Sequence, residues 1–169
     1  NHIGDGSNVE VQSSPLVADW VTLDQLSAID AANGAGLLTY YDITGNAAQL
    51  EADALGVNEV FYIYDGINVN VEDAATIEQL TAIDAANGNG DLLYAAIADT
   101  AANLEADALG NNAFFYIIDG TDVTVLDGAT IDQLTTIDGA NGNGTLSYAA
   151  IADAAANLAA NAGGYVSGS

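Results

Sequence analysis

The chain has no lysine and no arginine to set against 24 aspartates and glutamates, so its formal net charge is −24. An average domain is about 25% charged with both signs present, so roughly 20 basic residues are missing. Neutralising phosphates takes Lys or Arg, which excludes a nucleic-acid partner and disfavours binding to anionic membranes. A trypsin-like protease has no bond to cut. Cysteine and methionine are also absent, which leaves little that oxidises easily. These absences together suit an exposed extracellular life, although missing Cys alone fits any compartment. The single histidine, His2, lies in a Gly-rich N-terminal stretch and reads as an ordinary terminal residue, so Ser–His and Cys–His catalysis lack their base. There is no Lys for a Schiff base and no P-loop. No apolar run approaches the length of a membrane span. With no initiator Met and no basic segment ahead of an apolar one, the chain reads as a processed form or an excerpt of something longer.

What is present is apolar and acidic. Half of the 169 residues are hydrophobic, enough for a core and unlike a disordered acidic tail. Two compatible readings account for the acid. One is a surface adapted to salty water, where a Debye length under ~8 Å makes self-repulsion tolerable. The other has divalent cations standing in for the missing basic partners.

Internal repetition organises the sequence. Gln25-Leu26, Gln79-Leu80 and Gln133-Leu134 are spaced by 54 residues, as are Tyr40, Tyr94 and Tyr148, and Leu50, Leu104 and Leu158. The period runs without a gap from about Thr22 to Asn161. This gives an N-terminal arm at 1–14 with a strand-like Val9-Glu10-Val11, then repeats at 15–68, 69–122 and 123–169, the last truncated. The arm is a candidate donor strand for another subunit.

The second repeat predicts a β-β-α-β-α unit. "FYIYDGINVNV" (61–71) has two β-rich runs around Asp65-Gly66, a hairpin signal. Asp73 is the expected N-cap of a helix through "AATIEQLTAIDAAN", with Ile77, Leu80 and Ile83 on its apolar face and Gly88 at C′. "DLLY" (91–94) is the third strand. A second helix follows at about Thr100 to Leu109, with Asp99 as N-cap and Gly110 as stop. Repeat 1 supports that break, since Gly45-Asn46 reads as an interruption and a cap. A single unit of this size is marginal. The expected fold is therefore an α/β repeat protein of three stacked units, solenoid-like or bead-like.

Candidate chemistry is sparse. Carboxylate pairs can act as acid and base, but here each acid occupies a repeated slot or a polar face, and an acid-only hydrolase ranks last. "NGNGD" (87–91) fails as an EF-hand: the register is wrong, the bidentate Glu is missing, and Leu37 and Thr145 fill the Asp91 slot in the other repeats. Calcium at other clusters stays open, with Asp119, Asp122 and Asp127 flanking one strand run and Asp65, Glu72 and Asp73 its counterpart. Asp30, Asp84 and Asp138 pose the sharpest question. On a helical wheel Asp84 and Asn87 lie within about 40° of the apolar centre, so these acids lean inward with no basic partner anywhere. They need backbone N–H groups, hydroxyls, water or a cation. The expectation is a hydrogen-bond ladder pinning each helix to its Gly-rich loop, with a calcium site as the alternative.

"VNVEDAATIEQLTAIDAANGNGDLLYAAIADTAANL" and "VTVLDGATIDQLTTIDGANGNGTLSYAAIADAAANLAANAGGYVSG" resemble the tandem repeats of very large secreted surface proteins of marine cyanobacteria and related bacteria, similar to adhesin and RTX-type exoproteins. The resemblance covers about Val69 to Gly168, and repeat 1 more weakly. It implies an extracellular structural or adhesive role, often with calcium, and transfers no catalytic residue. The chain departs from the pattern in having three units and in its "FYIYDG" and "FFYIIDG" runs. The expectation is a non-enzymatic subunit of a filament, sheath or surface array, with other copies of itself as partner, joined head to tail by strand complementation. The alternatives are a calcium-dependent adhesive or spacer segment of a giant cell-surface protein, and a fibre or appendage protein of a virion.

Overall fold

A computed structural model of the chain describes residues 6–12, 16, 19–57, 60–112 and 114–166; His2 lies outside them. The chain forms two compact units, Asn1–Asp73 with Gln79–Tyr94, and Ala74–Glu78 with Ala95–Ser169. Both are mixed α/β with parallel sheets, and the described residues include six α-helices.

In the first unit, β1 (Val9–Glu10) pairs with β3 (Leu38–Thr39). A second sheet runs in the order β2 (Val21–Thr22), β4 (Asp42–Gly45), β5 (Asn68–Val71), β6 (Leu92–Tyr94), all parallel. Helices α1 (Leu23–Asn33), α2 (Ala47–Ala54) and the greater part of α3 (Ile77–Asn87) make the connections, as parallel strands require. In the second unit a three-stranded parallel sheet has the order β7 (Ala96–Asp99), β8 (Asp122–Ala129), β9 (Leu146–Ile151), with Ala75 bridged to Ile97. Its helices are α4 (Ala101–Ala108), α5 (Ile131–Asn141) and α6 (Ala155–Ala160).

Local chemistry explains the helices. Thr22 and Thr130 open α1 and α5 with reciprocal capping boxes to Gln25 and Gln133. The stop at Gly88 has φ +58, the left-handed conformation that glycine adopts without cost. Asn46 caps α2 as expected, and α4 starts after Thr100 rather than Asp99. Leu26, Leu80 and Leu134 on the helices are fully buried, as are Ile43, Val69, Ile97 and Val123 on the strands.

Three expectations are corrected. No hairpin forms at Asp65-Gly66, because the N–H groups of Tyr62 and Ile63 donate to the buried Asp53 carboxylate at 2.9 and 2.8 Å rather than to a ladder. The unit therefore does not follow the β-β-α-β-α order; around the second repeat it reads β5, α3, β6, β7, α4, with "AIAD" (96–99) a strand. Asp73 does not cap α3, which begins at Ile77. Its carboxylate accepts from Ala47 N at 2.7 Å, at the start of α2.

Strand register carries the 54-residue period. Val21 pairs with Ile43, Ile43 with Val69 and Val69 with Leu92. Ala75 pairs with Ile97, Ile97 with Val123 and Val123 with Leu146. Each such run of paired residues takes its first two members from one sequence repeat and its last two from the next.

Candidate functional site

The acids the sequence brings forward are placed as backbone acceptors. Asp119 Oδ1 accepts from Asn143 N and Nδ2 at 2.8 and 2.9 Å, and Asp65 Oδ1 does the same for Asn89 at 2.9 Å. Asp122 Oδ1 accepts from Thr145 N, and Asp127 Oδ1 from Ala101 N, both at 2.7 Å. Asp119, Asp122 and Asp127 thus serve three separate backbone positions. Among the described residues no three histidine or acidic side chains are grouped to hold a metal ion.

Asp30 and Asp84 are half-buried at the helix rim and Asp138 is exposed. The inward position belongs to Asn33, Asn87 and Asn141, each fully buried. Asn87 Nδ2 donates to Gly90 O at 3.0 Å and Asp65 Oδ1 accepts from Asn89 N, so the asparagine and Asp65 fasten the Gly-rich loop. Asp138 Oδ2 accepts the Tyr165 hydroxyl at 3.0 Å. Burial raises the pKa of Tyr165, and the bond to Asp138 raises it further.

Sequence reasoning missed Asp53 and Asp107, which are 1% and 0% exposed. Asp107 Oδ2 accepts from Tyr116 N and Ile117 N at 3.0 and 2.8 Å, and its Oδ1 accepts from Asn112 Nδ2 at 3.1 Å. The signal was available: Ala47, Leu50 and Asp53 lie three apart and share one helix face. Ion-to-amide bonds of this kind are the stronger class. They give buried carboxylates hydrogen-bond donors in a chain that has no Lys or Arg.

The most distinctive geometry lies at two strand edges. β1 belongs to the repeat rather than to a separate arm: "DGSNVEV" (5–11) matches "DGINVNV" (65–71) at an offset of 60, not 54. Six extra residues between Val11 and Val21 conceal the match. Gly6 N donates to Asn33 O at 2.9 Å, as Gly66 N does to Asn87 O at 2.8 Å. Val9 N and Val11 N donate to Leu37 O and Thr39 O, which turns the N–H groups of Asn8, Glu10 and Gln12 to the opposite edge. No described strand pairs there. In β5 and β8 that edge is covered by β4 and β7.

At the other end, Ala150 and Ile151 of β9 pair with Gly128 and Ala129 on one side only. Their counterparts in β4 and β7 are covered by β5 and β8. Exposure follows. Ile43 and Ile97 are fully buried but Ile151 is half-buried; Leu50 and Leu104 are fully buried but Leu158 is half-buried; Ala47 and Ala101 are buried but Ala155 is exposed. Val69 and Val123 are buried while Val9 is half-buried. The first unit also carries a groove of about 410 Å³ lined by Val11, Asp19, Val21, Gln25, Ala28 and Ile29.

No family model, no curated protein and no solved structure matches this chain. No described helix is long and apolar enough to cross a membrane.

Proposed function

We propose that the chain is an extracellular structural repeat protein, not an enzyme, whose copies join head to tail by strand complementation into a filament, sheath or surface array. The observation that carries this reading is the pair of half-sheets. Among the described residues, each full run of paired positions, Val21-Ile43-Val69-Leu92 and Ala75-Ile97-Val123-Leu146, takes two members from one repeat and two from the next, whereas β1–β3 holds only the second pair and Ala129 with Ile151 only the first. The halves are complementary and opposite in kind, so their contact is heterologous and propagates. The resemblance to repeats of secreted surface proteins and the absence of Lys, Arg, Cys and Met support an extracellular setting. The carboxylates bound to backbone amides support a structural role over a catalytic one.

Sedimentation velocity and electron microscopy of the purified chain test this across a salt series, with calcium and with a chelator. The expected result is a concentration-dependent growth into linear assemblies, favoured by salt as self-repulsion is screened. The calcium and chelator arms separate general screening from a divalent-cation requirement. Monodisperse monomers under all conditions would overturn the reading.

A further inference from the structure

We infer the joint itself, an inference that rests on the head-to-tail reading above: the open edge of β1 in one molecule adds in parallel to residues 150–153 of a second molecule, while α6 of the second molecule fills the groove beside α1 of the first.

The register follows from the joints already present inside each unit. Asp42 pairs with Asn68, Ile43 with Val69, Thr44 with Asn70 and Gly45 with Val71; Ala96 to Asp99 pair likewise with Asp122 to Val125. Moving that relation 54 residues on, and using the offset of 60 for β1, sets Ala150 opposite Asn8, Ile151 opposite Val9, Ala152 opposite Glu10 and Asp153 opposite Val11. Three N–H groups on β1, those of Asn8, Glu10 and Gln12, face the edge this would occupy. At the internal joint the corresponding amides Asn68 N and Glu72 N donate to Tyr41 O and Gly45 O, both at 2.9 Å. The apolar residues half-exposed on the two sides, Val9 and Val11 against Ile151 and Leu158, are the counterparts of residues buried at the internal joints.

The groove is a second, independent observation. α4 packs against α5 in the second unit, and α1 occupies the place of α5 in its own repeat. Ile83 and Ile137 are fully buried on α3 and α5, but Ile29 of α1 is only half-buried and lines the groove. The helix that corresponds to α4 for this purpose is α6, and its sequence suits the site. Where α2 and α4 read "AAQLEADA" and "AANLEADA", α6 continues as "AANLAANA", so Ala159 and Asn161 replace an acidic pair. At the internal joints Glu51 and Glu105 accept from Gln79 Nε2 and Gln133 Nε2 at 3.2 and 3.1 Å; with Ala159 in that slot the joint forgoes this bond but brings one carboxylate fewer to a contact between two molecules of charge −24. Asp153 is already accommodated: its counterpart Asp99 is buried beside β8 with its oxygens bonded to Ile77 N, Thr100 N and Asn103 Nδ2. Asp153 holds the same bonds to Ile131 N, Ala154 N and Asn157 Nδ2.

The chain contains no cysteine, so introduced pairs report contacts cleanly. In the double variant Glu10→Cys with Ala152→Cys, mild oxidation is expected to give a ladder of disulfide-linked multimers. The pair Glu10→Cys with Ala150→Cys, shifted by two residues, is expected to cross-link at least tenfold more slowly. Both sites are exposed in the single molecule, and circular dichroism of the reduced variants verifies the fold. If the wild-type chain assembles but the two pairs cross-link equally, or the shifted pair is faster, the joint is wrong while the head-to-tail reading survives. Monomeric wild-type chain, with neither pair cross-linking, overturns both.

Discussion

Helices α4 and α6 begin with the same four residues, "AANL", yet live in different surroundings. In α4 the first-turn amide of Ala101 is capped by Asp127 from β8, and Ala101, Leu104 and Asp107 are buried beneath that strand. In α6 the N-cap position is Ala154 with no side-chain cap, Ala155 is exposed and Leu158 half-buried. The clamp that ends the helix also changes. Asp107 gathers Tyr116 N and Ile117 N, whereas Asn161, in the left-handed conformation at φ +45, gathers only Val166 N at 2.8 Å. Nine residues separate Asp107 from Tyr116 but four separate Asn161 from Tyr165, so the chain closes sooner. The difference teaches that the helix is finished by the following strand. Where the strand is present its aspartate caps the helix and its valines cover it.

The sharpest way to break this comparison is to make α4 resemble α6 at its clamp. Asp107→Ala leaves two buried N–H groups without an acceptor and is expected to cost about 3 kcal/mol in urea unfolding. Asp107→Asn keeps an acceptor, as Asn161 does, and is expected to cost clearly less. Equal losses in the two variants would show that charge, not the acceptor, is what the site needs. Next comes the entry to the covering strand. A Cβ on Gly144 would collide with the carbonyl oxygen of Thr121, just ahead of β8. Gly144→Ala is therefore expected to cost about 2 kcal/mol, read as a fall in thermal midpoint. Removing the strand's share of the cap, Asp127→Ala, leaves the Thr100 cap in place and is expected to cost about 1 kcal/mol; an unchanged midpoint would mean that α4 gains nothing from the strand's aspartate.

The smallest effect is a pH limb. Burial, reinforced by Tyr64 and Asp53, holds the Tyr40 hydroxyl above its ordinary value of 10.0, and that hydroxyl donates to Tyr62 O at 2.8 Å. The unfolded chain ionises first, so this contribution is complete below about pH 10 and is lost as pH rises through the raised native value. The thermal midpoint is expected to fall on that limb. In Tyr40→Phe the fall should be shallower, from a starting point lower by about 1 kcal/mol for the lost bond.

Much of this was legible in residue patterns. The stop at Gly88 and the cap at Asn46 are local signals, and they mark helix ends within a residue or two; the T-x-x-Q boxes at Thr22 and Thr130 are equally local, and the reading of Asp73 as a cap passed over their pattern. Partner choice was not local. "FYIY" has strand composition, but its amides are taken by an aspartate nine and ten residues back. "AIAD" looks helical because alanine is ambiguous, and becomes β7 by lying beside β8. The wheel placed Asp84 and Asn87 together on the inner face; the structure separates them, the uncharged amide going inside and the acid to the rim, as desolvation cost demands. The match between β1 and β5 was hidden only by six inserted residues.

The central claim is that β1 of one molecule adds beside the end of β9 in another, over α6. Amide hydrogen exchange, read residue by residue as the chain is concentrated in high salt, tests it most directly. The account predicts an alternating pattern: Asn8, Glu10 and Gln12 gain protection on assembly, while Val9 and Val11, already bonded to β3, change little. Protection that ignores this alternation, or exchange that does not depend on concentration, would contradict it.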